Sequence, residues 1–145
     1  MPLNLSAEWR GDAVTRFVIE PRVAIALAAG DVVVPPRHKL FAPTLLRSQV
    51  LALLFEQVQS GQITRKEASR RLDYLRALRI RLLGDRVLQR VAWEIALELG
   101  WQDTFVAEYM ALTKLQADAL VTNSDDLAIS ARKVVAVASM SELLA

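Results

Sequence analysis

The side chains able to do chemistry in this chain are few and mostly acidic. Cysteine is absent and His38 is the one histidine. Disulfides, thiol catalysis, Cys-ligated zinc and multi-histidine metal sites are thereby excluded. His38 stands in Pro35-Pro36-Arg37-His38-Lys39, which reads as a basic loop with no nucleophile beside it. The carboxylates fall in a pattern. Glu20 follows the apolar run Phe17-Val18-Ile19, Asp85 follows Leu82-Leu83-Gly84, and Asp125 and Asp126 follow Ala119-Leu120-Val121-Thr122 by a short turn. Each thus stands where a short apolar run ends. Carboxylates gathered at one point repel unless a cation lies between them. Oxygen-only donors select a hard cation, Mg2+ or Mn2+. Each acid also suits an ordinary helix N-terminus, where a side-chain oxygen accepts a free backbone N–H.

The elements that must position these acids alternate along the chain. Residues 1–16 read as a polar arm. Phe17-Val18-Ile19 reads as a strand, closed by Glu20 because the residue before a proline is pushed toward extended geometry. Residues 22–29 are Ala-rich and stop at Gly30, as a short helix does. Residues 31–36 form either a short strand or an extended connection. Pro43 is placed to open a helix, on which Leu46, Val50, Leu53 and Leu54 share a face. Thr64-Arg65-Lys66-Glu67 is a capping-box pattern for the next helix, running to about Leu78. Residues 79–83 alternate as a strand. Asp85 caps a helix with the apolar stripe Leu88, Val91, Ala92, Ile95, Leu99. Asp103 or Thr104 opens another helix to about Leu115. Residues 119–122 and 134–137 read as strands around a short helix, and an acidic tail follows.

Strands alternating with helices predict an α/β domain, a three-layer α/β/α sandwich with a mainly parallel sheet. In such sheets ligands bind beyond the C-terminal strand edge, where the acids fall. No Gly-x-Gly-x-x-Gly or P-loop pattern follows any of these strands, so dinucleotide and P-loop readings fail. The length, 145 residues, fits one domain. No apolar run approaches the roughly 18 residues of a membrane span, and no signal-peptide pattern opens the chain. A soluble cytoplasmic protein is expected. The net charge is only +2, but it is uneven. Residues 65–90 hold nine of the 18 Lys and Arg side chains against Glu67, Asp73 and Asp85. Such a patch can hold phosphates.

Four stretches then carry a resemblance: Phe17-Val-Ile-Glu-Pro21, Ala42-Pro-Thr-Leu-Leu-Arg-Ser-Gln-Val50, Asp103-Thr-Phe-Val-Ala-Glu-Tyr-Met-Ala-Leu-Thr113, and Ala117-Asp-Ala-Leu-Val-Thr-Asn-Ser-Asp-Asp-Leu-Ala128. In their order and content residues 17–145 resemble PIN-domain proteins, especially VapC-type ribonuclease toxins of toxin–antitoxin pairs. The resemblance implies Mg2+- or Mn2+-dependent RNA cleavage by a set of acids. It places Glu20, Gln49, Val106 and Ser124 at four positions where active members typically carry carboxylates. One acid of four is present, and it is Glu rather than Asp. The resemblance therefore implies a weak or inactive nuclease serving as an RNA- or antitoxin-binding module. The alternative is an active endoribonuclease in which Asp103 and Asp125 join Glu20 around the metal, with the amide oxygen of Gln49 assisting. Arg79, Arg81, Arg86 and Arg90 are the expected nucleic-acid contacts. A homodimer is expected, with Leu82, Trp93 and Met110 as candidate interface residues.

Overall fold

The computed structural model describes residues 14–145. In chain order the elements are β1 (Thr15–Ile19), α1 (Pro21–Gly30), β2 (His38–Pro43), α2 (Leu46–Gln59), α3 (Arg65–Ala77), β3 (Ile80–Leu83), α4 (Arg86–Leu99), α5 (Phe105–Gln116), β4 (Ala119–Val121), α6 (Asp125–Ala131), β5 (Val137–Ala138) and α7 (Met140–Leu144). The five strands form one parallel sheet in the order β3-β2-β1-β4-β5. The protein is a three-layer α/β sandwich. Helices α1, α2 and α3 pack on one another, and α4 packs on α5, which lies against β1, β2 and β4.

Sheet order follows from burial. Val18, Ile19, Leu120 and Val121 are fully buried, as strands covered on both faces must be. Helix α1 is buried along Val23, Ala24, Ile25, Leu27 and Ala28, so its alanines let it lie close against its neighbours. Each fully buried Val, Leu or Ile side chain among these contributes about 1.5–3 kcal/mol. The connection after β1 runs toward β2 on one side, and the one after β4 runs toward β5 on the other. A crevice opens between the C-terminal ends of β1 and β4, the usual ligand position in such sheets.

Several local expectations are corrected. His38 does not lie in a loop; it opens β2, pairs in register with Thr15, and meets the Phe17 ring edge-on at 5.0 Å. Pro43 does not open a helix; it ends β2 opposite Leu83. The polar lead-in Pro35-Pro36-Arg37 and the polar first residues His38 and Lys39 hid the strand's apolar second half. Gly30 is the last helical residue, and Asp31 takes the left-handed turn with φ 49°. Thr64 caps α3 by accepting the Glu67 N–H, but Glu67 turns its carboxylate to Arg70 and Arg71, so the box is half made. The last strand lies at Val137–Ala138, later than expected. The acidic tail is the helix α7, with a complete capping box between Ser139 and Glu142. Thr15 and Arg16 belong to β1, while residues 1–13 of the expected arm lie outside the described residues. Met110 is fully buried and cannot reach an interface.

Candidate functional site

The crevice is built from the ends of β1 and β4 and the facing sides of α2 and α5. It holds a cavity of about 370 Å3 lined by Glu20, Pro21, Gln49, Val106, Tyr109 and Ser124, among others. All four positions singled out by the resemblance therefore meet in one place. Asp103 and Asp125 are not on that lining. Asp103 accepts the Phe105 N–H at the start of α5, 3.1 Å away. Asp125 lines a neighbouring cavity between α6 and the start of α7.

Glu20 is 5% exposed, so its hydrogen bonds decide what it can do. Pro21 supplies no N–H, and Glu20 caps α1 from the preceding position. Its Oε1 accepts the backbone N–H of Arg22 at 2.6 Å and of Val23 at 3.4 Å. Its Oε2 accepts the Thr122 hydroxyl at 2.9 Å. Thr122 Oγ1 in turn accepts the Ser124 N–H at 3.1 Å, tying the end of β4 to the end of β1. Ser124 Oγ caps α6 by accepting the Leu127 N–H. Across the cavity Tyr109 donates its hydroxyl to Gln49 Oε1 at 2.6 Å. Burial, with the negative charge of Glu20 second, pushes the Tyr109 phenol far above its usual range and keeps it a donor.

This donor set does not fit a tightly held Mg2+ or Mn2+. A carboxylate has about four acceptor positions, and three on Glu20 are taken. The Gln49 oxygen is engaged by Tyr109 and the Ser124 oxygen by a helix cap. Val106 brings methyl groups. Mg2+ demands near-octahedral oxygen geometry and anionic partners, and among the described residues the lining offers one carboxylate. Among the described residues no three His, Asp or Glu side chains are grouped to hold a metal ion.

The same fold occurs in solved structures. PAE2754 from Pyrobaculum aerophilum superposes with a TM-score of 0.70 at 20% identity, over 90% of this chain and 95% of that one. VapBC2 from Rickettsia felis, bound to a DNA fragment from its promoter, gives 0.55 at 14% identity, over 86% of this chain and 98% of that one. The fold is that of a VapC-like PIN domain. No family model matches the chain, and no curated protein matches it. In this PIN fold the crevice beside Glu20 lies at the carboxyl edge of the sheet, as the sequence reading placed it.

The expected arginine contacts divide. Arg79 and Arg81 flank the amino end of β3 and line a concavity with Arg16 and Lys39. Arg86 and Arg90 lie on α4, beyond the carboxyl end of β3, and are not part of it. Sequence reasoning gave no role to Tyr109 or Thr122. Tyr109 stands three residues after Val106 and so shares its helix face, a signal present in the sequence. Thr122 carried no such signal, because its partner Glu20 is 102 residues away.

Proposed function

We propose that this chain is a PIN-fold binding module that cuts RNA weakly or not at all, and that it pairs with an antitoxin-like protein at the Glu20 crevice. The observation that carries this reading is the state of Glu20: both oxygens hold backbone and hydroxyl donors, while Val106 and Ser124 add no charge. A crevice with Pro21, Ala52, Leu53, Val106 and Leu127 on its walls suits an apolar peptide segment better than a hydrated cation. The Rickettsia felis VapBC2 structure, which contains promoter DNA, supports a partner of the antitoxin kind here. RNA is a second ligand in this reading, held without being cut. A second copy of the chain is the third. Trp93 and Leu97, one helical turn apart on α4, are 63% and 65% exposed and support it.

The test is cleavage of single-stranded RNA with Mn2+ or Mg2+ by the wild type and by Glu20→Ala. The expected result is no metal-dependent cutting by the wild type above that of the variant. Cutting that needs metal and vanishes in Glu20→Ala would establish the active reading with Asp103 and Asp125. The partner half is tested by co-purification with the product of a small adjacent reading frame. Val106→Arg, which fills the crevice, is expected to abolish that co-purification.

A further inference from the structure

The opposite end of the sheet carries a second chemistry. At the amino edge Arg16 on β1 pairs in register with Lys39 on β2. Leu40 pairs with Ile80 and Phe41 with Arg81. Arg79, one residue before Ile80, falls at the level of Lys39. In a parallel sheet, register partners and residues two apart share a face. Arg16, Lys39, Arg79 and Arg81 therefore project from one side of three neighbouring strands.

Together with Val14, Leu40, Phe41 and Ile80 they line a concavity of about 500 Å3 that carries no carboxylate among the described residues. All four are exposed, and none forms an ion pair with a carboxylate among the described residues. The acid beside the row, Asp118, is turned to the backbone: its Oδ2 accepts the Arg16 N–H at 2.8 Å. Contrast α3, where Arg70, Arg71 and Arg76 each pair with an acid three or four residues away. Four unpaired cations converging in a chain of net charge +2 repel one another unless an anion joins them.

We propose that this amino-edge concavity binds a single nucleic-acid strand through its phosphates. Neighbouring strands are about 4.8 Å apart, so the row from Arg16 through Lys39 to Arg79 spans about 10 Å. A run of consecutive phosphates on one strand matches a line of cations, whereas a duplex groove would want two flanking lines. Arginine forks suit phosphate oxygens. Phe41 is buried, so among the described residues the floor offers no ring for bases to stack on and recognition is by backbone. The surface lies at the other end of the sheet from Glu20. The inference thus shares with the proposed function only the expectation of a nucleic-acid ligand, and it moves that ligand off the Arg86–Arg90 helix.

The experiment is fluorescence anisotropy of the full chain with labelled single-stranded RNA, and with DNA of the same sequence, across a salt series. Each phosphate contact on a single strand contributes about 0.7 to the slope of log affinity against log salt. A slope near −3 is expected for the wild type. Arg16→Gln and Arg81→Gln should each reduce its magnitude by about 0.7, and the quadruple Gln variant should bind at least tenfold more weakly. RNA and DNA should bind within about threefold of each other. Arg86→Gln with Arg90→Gln should leave binding unchanged. The four side chains are exposed, and circular dichroism verifies the fold of each variant. Absence of wild-type binding, a quadruple variant that binds as the wild type does, or loss confined to the Arg86/Arg90 variant would overturn the proposal. So would a poly-glutamate peptide that binds while RNA does not, since the anion would then be protein. Loss of partner co-purification in Val106→Arg with RNA binding intact separates this site from the crevice.

Discussion

Glu20 shows how one residue can be structural by the same contacts that disarm it. Its carboxylate caps α1 and fixes Thr122, so its oxygens serve the fold. Replacing it with alanine removes a helix cap, which costs about 1 kcal/mol, and leaves the buried Thr122 hydroxyl without its acceptor, about 1–3 kcal/mol more. Glu20→Ala should therefore lose about 2–3 kcal/mol in urea denaturation. A loss below 0.5 kcal/mol, the scale of a neutral surface change, would show that the carboxylate is free for other work. Tyr109 makes the complementary case. Its pKa is raised, chiefly by burial, so the folded state keeps a proton that the unfolded chain gives up near pH 10. Stability is full below that pH and falls as pH rises beyond it. Tyr109→Phe should flatten this alkaline decline, read as melting temperature against pH. An unchanged slope would mean that the phenol does not titrate against folding.

At the scale of elements, helices were legible where local chemistry marks both ends. Asp85 and Thr64 cap where their spacing says, because a cap needs only the next three residues. Strand β2 was not legible. Its apolar half, Leu40-Phe41-Ala42, is too short for periodicity to speak, and Pro43 signals a helix start as readily as a strand end. Long-range pairing with β1 and β3 decides it. The site divides along the same line. Glu20, Gln49, Val106 and Ser124 were legible as positions by resemblance, while their hydrogen bonds were not, since Gln49 and Tyr109 lie 60 residues apart. The Gly30 stop fails by one residue, and that failure is measurable. Asp31 sits at φ 49°, where a side chain with a Cβ is strained and glycine is not. Asp31→Gly should stabilise the protein by about 0.5–1 kcal/mol. Its ion pair with Arg70, at 3.8 Å and exposed, offsets little of this. A destabilised variant would place the stop elsewhere. Within α3, hydrogen bonds from Arg70 and then Arg71 hold the Glu67 carboxyl down to about 2. A lowered folded pKa contributes stability above the unfolded value near 4.5 and loses it as pH falls toward 2. Carboxyl NMR should find the Glu67 midpoint near 2; a midpoint above 4 would break the Arg70–Glu67–Arg71 cluster.

For the whole molecule, the parallel sheet gives its two ends opposite characters. Every strand delivers its carboxyl end to the Glu20 side and its amino end to the arginine side. The same topology that usually gathers acids around a cation here gathers one buried acid with an arginine, an amide, a phenol, a serine and apolar side chains. This difference has a global thermodynamic reading, because any ligand bound by the folded state alone raises stability by mass action. A Mn2+ ion at a hundredfold excess over its dissociation constant would add about 2.7 kcal/mol, or roughly 5–10 °C in the melting temperature of a chain of this size. With Glu20 spent on three donors, millimolar Mn2+ should raise the melting temperature no more than sodium chloride of equal ionic strength. The comparison is run on the wild type and on Glu20→Gln, so that binding elsewhere on the surface cancels. A rise of several degrees in the wild type that disappears in Glu20→Gln would mean that the ion displaces the Thr122 hydroxyl and the helix cap. The crevice would then be a metal centre held closed by its own hydrogen bonds.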